Sequence, residues 1–404
     1  MTREDALALD AADPLAPFRD RFDLPDGVIY LDGNSLGALP RSVPSALADT
    51  MQRQWGTRLI RSWNEGWIDA PQRLGAKIAP LIGAAADEVI VGDTTSTHLF
   101  KAIVAALRHD PARRTVVSEA GNFPTDLHIA EGAVACVPGA RLKVAERDAL
   151  ADALDADTAL LLLTHVHYKT SHRFDLTAWT ARAHAAGALI LWDFSHSVGA
   201  IPINLTAAQA DLAVGCTYKY LNGGPGAPAF LYVARRHQDA LANPISGWMG
   251  HAEPFAFQDG YRPAAGMKRW LVGTPSILAM ASLEAALDLW TEVDMAAVST
   301  KSAALFAIMA DAGAAAGLVC VSPADPASRG SHISFRHDHA YELTQALIAR
   351  GVIGDFRDPD ILRLGLTPLY LSHEDVWQAG EHLRDIVATE AWRAPAFATR
   401  NAVT

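Results

Sequence analysis

The sequence predicts an α/β protein: a mostly parallel sheet covered by helices on both faces, followed by a smaller α+β domain. Three observations lead there. From about residue 86, short apolar runs alternate with stretches whose apolar residues recur at helical spacing, the pattern of strand–helix–strand units. The runs are almost continuously apolar, as in "TALLLLTHV" (158–166), which requires both faces of each strand to be buried. After Pro275 the texture changes to one long helical stretch, then short strands and helices.

Taken in order, "DEVIVGD" (87–93) is the first strand and "TTSTHLFKAIVAALRHD" (94–110) the helix after it. "RTVVSEAG" and "TALLLLTHV" are further strands, and "DLTAWTARAHAAG" is a helix that stops at Gly187, where a left-handed residue is needed. "ALILWDFSHSVGA", "ADLAVGCTY" and "PAFLYVAR" are three more buried strands. The helical stretch from Ser276 to Gly313 breaks near Asp294. "GLVCVS", "SHISFRH", "VIGDFR" and "ILRLGLTPL" are short strands, interleaved with helices at "YELTQALIARG" and around 373–390.

Composition narrows the function. Half of the 404 residues are apolar, a fifth are charged and the net charge is −11. This suits a globular enzyme and argues against a nucleic-acid partner, which needs a basic surface. Cys136, Cys216 and Cys320 are far apart and odd in number, so no disulfide framework or thiolate metal cage follows. Cys320, in "GLVCVS", reads as a buried strand residue, which argues against a desulfurase-type reactive thiol. The first residues lack a signal-peptide core, and no apolar run approaches the ~18 residues of a membrane helix. A reduced, cytoplasmic protein without membrane attachment is expected.

Three loops fall at the carboxyl ends of predicted strands, where open α/β sheets collect ligands. In "GDTTSTH", Thr94, Thr95, Ser96 and Thr97 open a helix; hydroxyls and free N–H groups there suit a phosphate or serve as an ordinary cap. Asp193 ends the apolar run "ALILW" and is buried, so it requires a cationic partner. Lys219 follows one strand later, between two tyrosines and before a glycine-rich bend. A desolvated lysine there is a nucleophile for carbonyl compounds. A phosphate cradle, a buried acid and a lysine on neighbouring strand ends match the needs of pyridoxal phosphate: the acid holds the pyridine nitrogen protonated and the lysine carries the aldehyde. Phe123 in "NFPTD" offers a ring to stack, with Asp126 close by, and Thr164 ends its strand at the same face. Arg363, within an apolar strand, would clamp a substrate carboxylate or pair with a local acid such as Asp355. His165 and His167 share a strand face, but no third metal ligand has a suitable spacing.

"YLDGNSLGALP" (30–40), "NFPTD" (122–126), "WDFSHSVGA" (192–200), "YKYLNGGPGAPAFLYV" (218–233), "GWMGH" (247–251) and "LRLGLTPLY" (362–370) together carry a family resemblance. Over nearly its whole length the chain resembles the kynureninases, pyridoxal-phosphate enzymes of fold type I in the aminotransferase class V group. Thr217 stands where many of them have serine. The resemblance implies a seven-stranded, mostly parallel sheet in a large domain over 41–272. It also implies an N-terminal arm over 1–40 packed on the small domain, which with its connecting helix spans 273–404. The implied reaction is hydrolysis of L-kynurenine to anthranilate and L-alanine in tryptophan catabolism, the kynurenine pathway that also feeds NAD biosynthesis.

The resemblance also assigns residues. Lys219 would hold pyridoxal 5′-phosphate covalently, Asp193 would face the pyridine nitrogen, and His196 would line the cofactor. Thr94, Thr95 and Tyr218 would hold the phosphate, Phe123 would cover the ring, and Asp126 and Thr164 would complete the cofactor shell. Arg363 and Asn34 would bind substrate, and Lys219 and Tyr218 are positioned to act as bases. Trp248 and Thr274 would come from a partner subunit, making the enzyme a homodimer. Trp63, Gly273 and Thr274 would line the aryl pocket. Relatives that prefer 3-hydroxykynurenine tend to carry histidine and asparagine at the positions of Trp63 and Thr274, so a preference for L-kynurenine is expected. Another class V lyase or transferase would share the cofactor residues without the aryl pocket, whereas a non-catalytic binding protein would be expected to lack Lys219 or Asp193.

Overall fold

The computed structural model describes residues 1–400. Seven strands form the large sheet, in the spatial order Val89–Gly92, Ala229–Val233, Leu212–Gly215, Leu189–Asp193, Thr158–Thr164, Thr115–Glu119, Arg141–Ala145. All pairs are parallel except those made by Ala229–Val233, which runs antiparallel to both its neighbours. The continuous apolar runs are explained by two separate cores. Leu161 and Leu163 pack into one face with Trp192 and Phe230, while Leu160 and Leu162 pack into the other with Leu191 and Ile103. Every side chain of these central strands is therefore desolvated, whichever way it points.

One edge strand lay outside the sequence expectation. Arg141–Ala145 has no buried residue; with two basic side chains and solvent on its outer side, it lacks the apolar signature of its neighbours. At the other end of the strands, Thr164 lies opposite Asp193, and Asp193 opposite Val214. The carboxyl ends of three adjacent strands are thus level, and the residues that follow them share one rim.

The opposite end of these strands is pinned by Asp211. Its buried carboxylate accepts from the Ile190 N–H at 2.9 Å and contacts His184 at 2.9 Å, His237 at 2.8 Å and Arg236 at 2.6 Å. Burial alone would raise this carboxyl, but the bonds from His237, His184 and Ile190 hold it down at about 2. A folded-state value below the unfolded one means stability that is complete above about pH 4 and drains away as pH falls toward 2. Asp211→Asn is expected to lose roughly 2 kcal/mol at pH 7 and to flatten the acid limb of the stability–pH curve. Urea unfolding at pH 3 to 7 checks this; an unchanged acid limb would refute it.

Beyond Pro275 two helices, Ile277–Trp290 and Met295–Ala315, are separated where Asp294 caps the second. Met295–Ala315 is long and apolar enough to cross a membrane by composition, but it packs against the His373–Ala388 helix, with Leu305, Ile308 and Met309 in the core. A small antiparallel sheet follows, in the order Val319–Cys320, His332–Arg336, Ile361–Gly365, Asp355–Arg357. Cys320 lies on the edge of this sheet and is exposed, not buried as its apolar neighbours imply; a strand of two residues has no second layer over it.

The N-terminal residues return to this region. The Arg3–Ala11 helix packs on His373–Ala388, buried Lys301 pairs with Asp13 at 2.6 Å, and Ile29–Tyr30 adds a parallel strand to Val352–Ile353. The chain then turns back to the large sheet, where the Gly37 N–H donates to the Tyr218 carbonyl at 2.8 Å. A Cβ on Gly37 would lie 2.2 Å from the Lys219 carbonyl oxygen, so only glycine permits this approach. The arm therefore forms one wall of the rim.

Candidate active site

Lys219 follows the Leu212–Gly215 strand and is 8% exposed. Its Nζ donates to His196 Nε2 at 2.8 Å and lies 5.7 Å from the Phe123 ring centroid and 5.9 Å from that of Tyr218. Burial, and then the charge of Lys219, push His196 well below its ordinary value. The imidazole is therefore a neutral acceptor at Nε2, and its Nδ1 is buried without a partner.

Asp193 is buried at its strand end and accepts from the Ser195 N–H at 2.7 Å. Burial raises its carboxyl, opposed by Ser195 and by the charge of Lys219. Asp126, also buried, is raised further, by burial and then by the charge of Asp193. Of the two, Asp126 is pushed up the more strongly. Hydrogen bonding agrees: the Thr164 hydroxyl stands against both Asn122 Oδ1 and Asp126 Oδ2. It has one proton for two acceptors, a deficit that a protonated Asp126 removes.

Beyond the carboxyl end of the edge strand Val89–Gly92, Thr94 caps the Thr95–His109 helix and accepts from the Thr97 N–H at 3.2 Å. That bond uses the Thr94 hydroxyl and leaves the N–H groups of Thr95 and Ser96 without an intrahelical partner, as the first turn of a helix requires. Such a turn attracts an anion.

Known proteins resemble this chain along its whole length. A family model described as the kynureninase C-terminal domain matches residues 298–383. The chain is 53% identical to a kynureninase of Burkholderia mallei and 48% identical to one of Pseudomonas fluorescens, with all of each chain covered in both cases. The chain belongs to the kynureninase family. Among solved structures, a cysteine desulfurase from Thermococcus onnurineus NA1 shares the fold with a TM-score of 0.79 at 17% identity, covering 92% of this chain and 98% of its own. A cysteine desulfurase from Escherichia coli does so with a TM-score of 0.77 at 20% identity, covering 93% and 98%.

As a kynureninase, the protein is a pyridoxal-phosphate-dependent enzyme of fold type I. The residues present fit that cofactor: Asp126 Oδ1 and His196 Nδ1 are buried polar atoms with no partner among the described residues. The Thr95 and Ser96 N–H groups open beyond the carboxyl end of Val89–Gly92, a strand that runs in the same direction as those leading to Lys219 and Asp193. Phe123 is 38% exposed and braced edge-on by Tyr168 at 5.1 Å, which leaves a ring face open for stacking.

The substrate-side residues are arranged less simply. Arg363 is buried, and its fork is already engaged: Nε donates to Asp355 Oδ1 at 2.8 Å, Nη2 to Asp355 Oδ2 and, at 2.8 Å, to Ser35 Oγ, and Nη1 to the Tyr168 carbonyl at 2.7 Å. The acid partner of Arg363 is therefore Asp355, and one Nη1 proton has no partner among the described residues. Asn34 is fully buried, and neither of its amide atoms has a partner among the described residues. His165 and His167 have separate partners, the Ser197 hydroxyl and the Gly121 carbonyl, each at 2.9 Å. They lie past the strand end and form no metal pair.

Four expected residues make no contact with Lys219 within one chain. Trp248 and Thr274 are exposed, as is Gly273. Trp63 is half-buried edge-on to Trp67 at 5.7 Å.

Proposed function

We propose that the enzyme hydrolyses L-kynurenine to anthranilate and L-alanine, prefers it to 3-hydroxykynurenine, and does so as a homodimer in which Trp248, Gly273 and Thr274 complete the partner's site. The observation that carries this reading is the buried Lys219–His196 contact beside Asp193, in a chain 53% identical to a curated kynureninase along its whole length. Three free cysteines accord with a cytoplasmic location.

When bound, pyridoxal phosphate supplies an electron sink for the cleaved Cβ–Cγ bond. The rest falls to the chain. Asp193 would hold the pyridine nitrogen and favour its protonated form. Lys219 would hold the cofactor's aldehyde, and its amine would move the proton at the substrate Cα. His196, neutral, takes the hydrogen bond of that amine and keeps it in place. Thr94, Thr95 and Tyr218 hold the phosphate end. Arg363 orients the α-carboxylate through its free Nη1 proton, with Asn34 beside it. Burial raises the Tyr218 phenol well above its ordinary range. Tyr218 therefore acts as a hydrogen-bond donor, which leaves Lys219 as the base that assists addition of water to the aryl ketone.

The preference rests on Trp63. An indole has a donor and no acceptor, so a 3-hydroxyl against it is desolvated and poorly paired, a cost of roughly 1–3 kcal/mol. kcat/KM is expected to favour kynurenine by about tenfold or more, and Trp63→His with Thr274→Asn to narrow or reverse the ratio. Fluorescence of the released anthranilates measures both rates. A clear preference for 3-hydroxykynurenine in the unaltered enzyme would refute the pocket and leave the chemistry at Lys219 standing.

A further inference from the structure

Lys101 has no place in the reaction described above, yet its side chain is fully buried. It lies within the Thr95–His109 helix, on which side chains lean toward the amino end. Its Nζ reaches back to Asp93 Oδ2 at 2.7 Å and donates to the Trp270 carbonyl, also at 2.7 Å. Filling space in this core calls for leucine or methionine, since burying an ammonium is costly unless its charge is used.

Asp93 shows what the charge is used for. It immediately precedes the helix cap Thr94 and has a left-handed backbone, with φ of +46°. A carboxylate at this position is itself an anion at a helix amino terminus. Left free, it would compete with a phosphate for the Thr95 and Ser96 N–H groups and repel it. The only ion pair that Asp93 makes among the described residues is with Lys101. His98, one turn nearer the cap, is held neutral by burial and then by the charge of Lys101, so it supplies no alternative cation.

The second bond reaches further. Trp270 leads into Leu271–Thr274, and the Met249 N–H donates to the Val272 carbonyl at 3.2 Å. A Cβ on Gly247 would lie 2.2 Å from that same carbonyl oxygen, so the Trp248 loop is seated directly on this segment. Lys101 thus ties the phosphate turn of one site to the residues proposed to enter the partner's site.

We propose that Lys101 is a positioning residue for the cofactor phosphate: it draws the Asp93 carboxylate away from the Thr95–Ser96 turn and fixes that turn to the 270–274 segment. This rests on the phosphate placement proposed above. The test strips the full-length enzyme of cofactor and titrates it separately with pyridoxal phosphate and with pyridoxal, following absorbance. Lys101→Met is expected to weaken pyridoxal phosphate at least tenfold while leaving pyridoxal within about twofold, and adding Asp93→Asn is expected to restore most of the loss. Lys101→Gln, which keeps an amide donor without the charge, is expected to behave likewise and serves if the methionine variant does not fold. Equal loss for both ligands, no loss, or no rescue by Asp93→Asn would overturn the proposal. Thr95→Val separates the two readings: if it weakens both ligands alike, the phosphate placement fails. If it is selective for pyridoxal phosphate while the Lys101 variants are not, only the role of Lys101 fails.

Discussion

Lys219→Ala is expected to lower kcat/KM for kynurenine by a factor of about 10⁴ or more, because one side chain both holds the cofactor and carries the proton. Lys219 is buried, and its Nζ has a neutral imidazole as its hydrogen-bond partner. Borohydride treatment of the intact holoenzyme followed by peptide mapping should place the cofactor on Lys219 alone. Lys169 is one rival, but its Nζ is spent on the Asp358 carbonyl at 2.6 Å. A label on Lys169 or Lys268 would overturn the assignment. Removing the ammonium also leaves His196 Nε2 without its donor, so the variant should bind cofactor weakly as well as turn over slowly.

Arg363→Ala should strike both the fold and the substrate. Asp355 is buried and relies on the Arg363 fork, with Arg357 at 2.7 Å and the Ser35 hydroxyl at 2.7 Å as its other supports. Breaking a buried pair from one side costs roughly 3–5 kcal/mol. Loss of the substrate carboxylate contact adds about 2–4 kcal/mol in apparent binding. Arg363→Lys keeps the charge without the planar fork and should recover part of each. Denaturant midpoints and KM measured on the same variants separate the two losses. If stability falls and KM for the folded lysine variant is unchanged, Arg363 serves Asp355 and not the substrate.

The central strands, the Thr94 cap, the break at Asp294 and the strand-end placement of Asp193 and Lys219 were legible in sequence because each has a local cause: a continuous apolar run, a hydroxyl before a helix, an acid ending a hydrophobic stretch. The Arg141–Ala145 strand was not, since an exposed edge strand is written in polar residues. Lys101 was hidden for the opposite reason. A lysine in a helix reads as a solvent-facing residue, and only the fold shows that its side chain is sealed beneath Asp93 and Trp270. Cys320 misled because burial is set by what lies above a strand, not by its own neighbours in the chain. Arg363 was open to two readings in sequence, of which the structure shows the pairing with Asp355. Trp63, Trp248 and Thr274 are named by family resemblance alone; nothing in the physics of one chain brings them to Lys219.

The docking of Gly37 beneath Lys219 has a consequence for how the enzyme is made. The wall it forms is synthesised among the first residues, but the strand that anchors it, Ile29–Tyr30, finds its partner at Val352–Ile353. On the ribosome the large sheet, with Lys219 and Asp193, is complete long before that partner emerges. Until then the Ile29–Tyr30 strand has no partner, and the wall rests on local bonds such as that of Gly37 to Tyr218. Domains fold as units in the order they appear, so a stalled or prematurely terminated chain presents the sheet without a finished pocket. Assembly of the working site is thereby tied to translation of the last part of the message.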